Sequence, residues 1–410
     1  MNKAHLQNHA FPVENNCLQI GGMSLNRLAE RVGSTPFYAY DRRLVTERVS
    51  RLRAVLPSDI HLHYAVKANP MPALVQHMAG LVEGFDVASV GEMKTVLDTT
   101  MAAINISFAG PGKQAAALRQ AAAAGIVVNL ESEREMELIA QAGLELGVLP
   151  RVTVRVNPDF ELKSSGMKMS GGPKQFGVDA ERVPAMLARM KALPLEFYGF
   201  HIFCGSQNLR AEAIMEAQRN TFELARRLAA DAPGPVKLLN LGGGFGIPYF
   251  PGEQALELEA VGAHLAGLMP QARCDFPEAE FVIELGRYLV GEAGVYVSRV
   301  IERKVSRGQV FLITDGGLHH HLAASGNFGQ VIRKNYPVLV GNHVMPEGEA
   351  QLASVVGPLC TPLDILADKM PLGHAAEGDL IAVMQSGAYG LTASPTAFLS
   401  HPAAVEVFAG

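Results

Sequence analysis

Between residues 36 and 290, eight short apolar or β-branched runs alternate with Ala/Leu/Glu-rich stretches of helical character. The runs are HLHYAV (61–66), GFDVAS (84–89), INISFAG (104–110), IVVNLE (126–131), RVTVRV (151–156), YGFHIF (198–203), LLNLGG (238–243) and FVIEL (281–285). Runs of this length read as buried strands, and the helical stretches between them, such as 72–81, 113–124, 132–147 and 211–230, are long enough to make neighbouring strands parallel. Eight parallel strands with crossover helices close a (βα)8 barrel, a TIM barrel in the α/β class.

The chain is longer than one barrel needs. Its 410 residues exceed the roughly 250 to 300 at which a single hydrophobic core stops growing. After residue 291 the texture changes: VYVSRVIERKV, GQVFLITDGG, ASVVGPL and DLIAVMQSGAY carry β-branched residues and few helical patterns. The expected organisation is an N-terminal segment over 1–35, a barrel over 36–290 and a mostly β C-terminal domain over 291–410, with CLQIGGMSL expected to add a strand to that last domain. No repeat or long linker is visible, so close packing of the parts is expected.

A formal net charge of −5 leaves no basic surplus for a nucleic-acid backbone, and none is expected as a partner. Cys17, Cys204, Cys274 and Cys360 have no CxxC spacing, so they read as reduced thiols rather than a zinc or disulfide framework. MNKAHLQNHAFPVENN lacks the apolar run of a signal peptide, and no stretch reaches about 18 uninterrupted apolar residues. A cytoplasmic protein with no membrane association is expected.

In such barrels functional residues gather at the C-terminal ends of the strands, and several unusual residues fall there. Lys67 ends the first run, where desolvation can make an amine nucleophilic, although a strand-end lysine that simply reaches solvent is the common alternative. The seventh run continues as NLGGGFGIPY, whose three glycines let backbone amides approach an anion; the other reading is a turn that needs positive φ. A dinucleotide fingerprint fits poorly, because Ile247 stands where its last glycine belongs. The eighth run ends in ELGR, with Glu284, Gly286 and Arg287 on the same rim. The sixth ends in HIFCGSQN, with His201 and Ser206, where a lone histidine is more often a hydrogen-bonded packing residue than a catalyst.

Taken in order, HYAVKANP, GFDVASVGE, FAGPGK, KQFGVD, HIFCGSQ, NLGGGFG, ELGR, GPLCTPLD and SGAYG resemble the fold type III pyridoxal-phosphate decarboxylases, the group of the diaminopimelate, ornithine and arginine enzymes. The resemblance covers nearly the whole chain and implies an alanine-racemase-like barrel with a β domain. It implies pyridoxal 5'-phosphate held as a Schiff base by Lys67, His201 stacked on its ring, and Glu284 paired with the ring nitrogen. Ser206, Gly243, Gly244, Gly286, Arg287 and Tyr389 are implied around the phosphate. Cys360 is implied as the proton donor contributed by a neighbouring subunit, hence a homodimer with shared active sites; a buried small hydrophobe is its alternative reading.

Departures from the family pattern bear on the substrate. Diaminopimelate and ornithine enzymes place an acidic residue directly after the cysteine, whereas here Thr361 and Pro362 follow, and a threonine cannot balance a distal ammonium. The Arg and Tyr that follow the DAG motif of diaminopimelate decarboxylases are replaced by DGGLHHHLAASGNFGQ. DGGLHHH, CTPLD and FLSHP are similar to a subgroup of specialised biosynthesis, the glutamyl-carrier-protein decarboxylases and the decarboxylases of exosortase systems. That implies an amino acid or amino-acyl derivative, free or carrier-bound, contacted by Thr361, Asp364 and His319. Asp364 could equally hold its own loop. His319 to His321 are expected on an extended segment with alternating faces, unsuited to one metal ion, and no metal is expected. Diaminopimelate, ornithine or lysine decarboxylation is the alternative; an amino-acid racemase, or a non-catalytic cofactor-binding or regulatory homologue, is more distant.

Overall fold

The computed structural model describes residues 10–160, 167–168, 171–328, 330, 332–345 and 349–410. MNKAHLQNH at the start and Gly329 in the DGGLHHHLAASGNFGQ stretch lie outside the described residues. The chain divides into two compact units. One comprises residues up to Arg48, Pro248–Gln254 and Arg287–Gly410; the other comprises Val49–Ile247 and Ala255–Gly286.

The second of these is the barrel. Its strands are Ile60–Ala65, Gly84–Val87, Ile106–Phe108, Val127–Leu130, Arg151–Asn157, Glu196–Ile202, Leu238–Gly243 and Glu280–Leu285, referred to below as the first to the eighth. Each pairs in parallel with its neighbours, and the eighth pairs with the first through Phe281↔Ile60 to Leu285↔Tyr64, which closes the ring. All eight expected strands are present. Closure removes every free edge, so strands of only three or four residues can keep their backbone groups paired.

The helices start and stop where local chemistry dictates. In the helix Glu133–Leu146, Ser132 accepts the Glu135 backbone N–H, Glu133 and Glu135 occupy the first turn, and Gly147 ends it in the left-handed region at φ 68°. The helix Val90–Leu97 is capped in the same way by Ser89, which accepts the Glu92 N–H. Pro72 opens the helix Pro72–Met78, which ends three residues before the expected limit in a turn through Gly80.

A polar ladder crosses the second to fifth barrel strands. Buried Ser107 donates to Asp86, Asn129 donates to Ser107 at 3.1 Å, and Thr153 donates to Asn129. These bonds pair most of the ladder's buried polar atoms with one another.

The other unit is mostly β. Strand Gly294–Ser306 pairs antiparallel with Gln309–Thr314, with Leu380–Val383 and with Phe37–Asp41, which in turn runs parallel to Val405–Ala409. The strand expected in CLQIGGMSL exists as Cys17–Ile20, but it sits in its own three-stranded sheet with Val13–Glu14 and Met23–Ser24. Phe37–Asp41, every residue of which is buried, is a strand of the large sheet of this unit. An all-buried strand gains most inside a sheet covered on both faces, and Phe37–Asp41 has a paired strand on each side.

Candidate active site

Lys67 lies in a single 3-10 turn, Val66–Ala68, immediately after the first barrel strand. Its Nζ is 3.7 Å from Glu284 Oε1 and 5.6 Å above the Phe203 ring. Gly286 makes this approach possible: a Cβ there would come within 2.8 Å of Ala68 Cβ. The Lys67 side chain keeps 42% of its surface open while Glu284 keeps 4%, so the amine can reach a reactant and the carboxylate cannot leave.

Glu284 also receives His201, whose Nε2 is 3.1 Å from Oε2. Burial alone would push the Glu284 carboxyl up, but the Lys67 ammonium, the His201 hydrogen bond and charge, and the Arg155 guanidinium outweigh it and hold it down to about 2. It stays anionic at any working pH. His201 is 2% exposed, and its Nδ1 has no hydrogen-bond partner among the described residues.

The loops beyond the sixth and seventh strands meet at glycine. A Cβ on Gly243 would lie 2.1 Å from the Glu284 carbonyl oxygen, and one on Gly244, at φ +75°, would lie 2.3 Å from the Gly205 carbonyl oxygen beside Ser206. Only glycine permits backbone to come this near backbone, which leaves a shallow cradle built of main chain.

These residues fit pyridoxal phosphate. The donor set holds a solvent-reaching amine, a carboxylate that remains ionised to pair with a pyridinium, an imidazole face and a main-chain cradle for a phosphate.

Three further residues of the barrel, Arg155, Glu131 and Glu92, were not singled out by sequence reasoning. Arg155, buried on the fifth strand, pairs with Glu131 at 2.7 Å and contributes to the field on Glu284. Glu131 also accepts backbone N–H groups from Gly110 and Gly177, so the FAGPGK and KQFGVD loops meet on one carboxylate. Glu92 accepts the Ala88 N–H at 2.7 Å; burial raises its pKa, and that hydrogen bond and the Lys67 charge oppose the rise. The signal for Arg155 was present as a charge late in the buried strand RVTVRV.

In the β unit, Cys360 is exposed on the turn Gly357–Asp364, with half-buried Thr361 beside it. Asp364 is buried; its Oδ1 accepts the Leu318 N–H at 2.6 Å and its Oδ2 the Leu359 N–H at 2.9 Å. A Cβ on Gly317 would lie 2.1 Å from Oδ1. The carboxylate therefore ties the cysteine loop to the DGGLHHH segment.

The three histidines are not on an extended segment as expected. His320 and His321 both return their N–H to the Gly317 carbonyl, forming a turn, because the paired glycines before them let the chain fold back on Asp364. His320 Nε2 bonds the Pro402 carbonyl at 2.8 Å and His321 Nε2 the Ser386 hydroxyl at 2.9 Å. Neither ring nitrogen of His319 has a hydrogen-bond partner among the described residues. Burial, then the neighbouring His320 and His401, press His319 down to about 4, and burial presses His321 to about 3, so both rings are neutral at pH 7.

Arg287 and Tyr389 also belong to this unit. The Arg287 guanidinium lies 4.6 Å over the Tyr389 ring and donates from Nη1 to the Tyr249 hydroxyl at 2.8 Å.

A closed barrel with a rim lysine, a buried anionic glutamate and a glycine cradle, in a chain that also carries a mostly β unit, defines the class of pyridoxal-phosphate-dependent carboxy-lyases. Residues 42–291 match the pyridoxal binding domain of the pyridoxal-dependent decarboxylases, and the chain belongs to that family. It is 37% identical to the L-glutamyl-[BtrI acyl-carrier protein] decarboxylase of Niallia circulans, over 91% of this chain and 88% of that one. It is 32% identical to the diaminopimelate decarboxylase of Campylobacter jejuni, over 88% of this chain and 87% of that one. The crystal structure of diaminopimelate decarboxylase from Helicobacter pylori complexed with L-lysine superposes with a TM-score of 0.82 at 26% identity, covering 94% of each chain. The cofactor is pyridoxal 5'-phosphate and the chain is a decarboxylase. Among the described residues, no helix is long and apolar enough to cross a membrane.

Proposed function

We propose that the substrate is an amino acid or amino-acyl derivative without a distal ammonium, delivered free or on an acyl carrier protein. The observation that carries this reading is the occupancy of the cysteine loop. Thr361 replaces an acidic residue, and Asp364, the one carboxylate of GPLCTPLD, already accepts two backbone N–H groups. Neither supplies the free negative charge that a desolvated ammonium requires. The likeness to a decarboxylase named for a carrier-bound glutamyl substrate supports the same reading.

Pyridoxal phosphate, when bound, supplies an electron-accepting ring for the pair left behind as the carboxylate departs as CO2. Lys67 is the residue that binds it covalently. Glu284, held anionic, would keep a proton on the ring nitrogen, and His201 would lie against the ring. Ser206, Gly243, Gly244, Gly286, Arg287 and Tyr389 are the phosphate ligands, with Thr361, Asp364 and His319 next to the substrate; Asp364 acts there by shaping the loop. Cys360 of the partner subunit returns a proton to the substrate α-carbon from its exposed thiol, so the working form is a homodimer with two shared sites. The four free thiols agree with a cytoplasmic setting.

The test is CO2 release by the reconstituted enzyme from L- and D-diaminopimelate, ornithine, lysine, arginine, glutamate and glutamyl-carrier protein, with Lys67→Ala as blank. Release confined to the acidic or carrier-bound substrates supports the proposal. Turnover of free diaminopimelate at ordinary enzyme rates sinks it and favours the diaminopimelate reading that the relatives also allow.

A further inference from the structure

Tyr249, in the IPYF segment after the glycine run, has no part in the chemistry above, yet its ring and hydroxyl lie against the Arg287 guanidinium. Among the described residues no carboxylate pairs with Arg287. Its guanidinium is instead boxed by aromatic rings: Tyr389 with centroid 4.6 Å away and Tyr249 at 5.4 Å. The Tyr249 hydroxyl accepts from Nη1 at 2.8 Å. Burial of an uncompensated guanidinium is costly unless an anion arrives, so the box holds a charge in readiness.

Tyr249 is itself fixed on several sides. Its ring packs on Tyr336 at a 4.7 Å centroid distance, and Tyr336 meets His321 edge-on at 5.6 Å. Its backbone N–H and that of Phe250 both donate to Glu253 Oε2, at 2.8 and 3.1 Å. Gln385 donates to the Pro248 carbonyl one residue before it. A hydroxyl presented from so rigid a loop occupies one end of the guanidinium fork and sets the direction of the remaining N–H groups. Arginine recognises phosphate through two parallel N–H donors, so the orientation of the fork decides the strength of the contact.

We propose that Tyr249 is a positioning residue for the cofactor: its hydroxyl orients Arg287 for a phosphate monoester. This rests on the reading above that Arg287 takes the phosphate of pyridoxal phosphate. The test uses the reconstituted holoenzyme and three variants, Tyr249→Phe, Arg287→Ala and the double replacement. Tyr249→Phe keeps the ring that packs on Tyr336 and removes the hydroxyl alone. Two quantities are read: the rate of cofactor release after dilution into a trap for free pyridoxal phosphate, and the phosphorus-31 chemical shift of the bound phosphate.

A hydrogen bond to a charged group corresponds to roughly a tenfold change or somewhat more, so Tyr249→Phe should release cofactor about tenfold faster and shift the phosphorus resonance. Arg287→Ala should release it faster still, and adding Tyr249→Phe to it should change neither quantity, because the fork to be oriented is gone. Three results overturn the proposal, and they are distinguishable. If Arg287→Ala leaves release unchanged, the phosphate reading of Arg287 fails and this inference with it. If Arg287→Ala accelerates release and Tyr249→Phe does not, Arg287 binds phosphate without help from Tyr249. If Tyr249→Phe accelerates release equally in both backgrounds, it acts through the packing of its unit and not through Arg287.

Discussion

Replacing Asp364 by alanine should be among the most damaging single changes outside the cofactor site, and the structure sets its size. The carboxylate accepts two backbone N–H groups, from Leu318 at 2.6 Å and Leu359 at 2.9 Å, and it is buried. Hydrogen bonds to a charged group are worth about 1.5–3 kcal/mol each, and with no acceptor both amides are left buried and unsatisfied. A loss of about 3–6 kcal/mol follows. Asp364→Asn should be intermediate, because its one oxygen can serve one amide while its NH2 opposes the other donor. Asp364→Glu should not rescue, since Gly317 and Gly357 already press against the carboxylate and a longer side chain has nowhere to go. Urea unfolding of the apoenzyme measures the stability. The rate of Cys360 alkylation by iodoacetamide, compared with that of a Cys274→Ser control protein, reports the loop. A fall of less than about 1 kcal/mol in Asp364→Ala, with unchanged Cys360 reactivity, would refute the account of this carboxylate as the clamp of the cysteine loop.

Other expectations follow from the same geometry. Glu284 has a folded pKa, about 2, below the ordinary carboxylate value of 4.5, so its contribution to stability is complete above the unfolded value and is lost as pH falls through about 2. The stability gap between wild type and Glu284→Gln, measured by urea unfolding, should therefore narrow from pH 5 downward; a gap constant between pH 5 and 3 would contradict this. His319 and His321, pressed to about 4 and about 3, take up protons more readily when unfolded, so stability should fall as pH drops below about 6.5, by about 1.4 kcal/mol per pH unit for each. His321→Asn should lessen that slope, and imidazole proton resonances of both should stay in the neutral position at pH 5. Gly243→Ala drives a methyl to 2.1 Å from the Glu284 carbonyl, backbone that cannot swing aside, and should abolish cofactor retention measured by absorbance after gel filtration.

The sequence by itself determined the barrel, its eight strands in order, and the rim positions of Lys67, His201 and Glu284, because each of these is written locally. A strand declares itself in six residues of pattern, and a strand end is the next residue along. Helix limits were legible where a capping serine or a terminal glycine marked them, as at Ser132 and Gly147. What tertiary structure alone decided are the pairings between distant segments. Phe37–Asp41 reads as one more apolar run, and its place between Gly294–Ser306 and Val405–Ala409 depends on partners more than 250 residues away. Arg155 acquires meaning only from Glu131, just past the fourth strand, and Glu284 on the eighth. The same holds for Asp364, whose two partners lie 5 and 46 residues off, and for Tyr249, brought to Arg287 from 38 residues away. A carboxylate or a phenol has the same formula whether it binds substrate or shapes a loop. Which it does is set by the donors that folding brings within hydrogen-bond reach, and those are contributed by other parts of the chain.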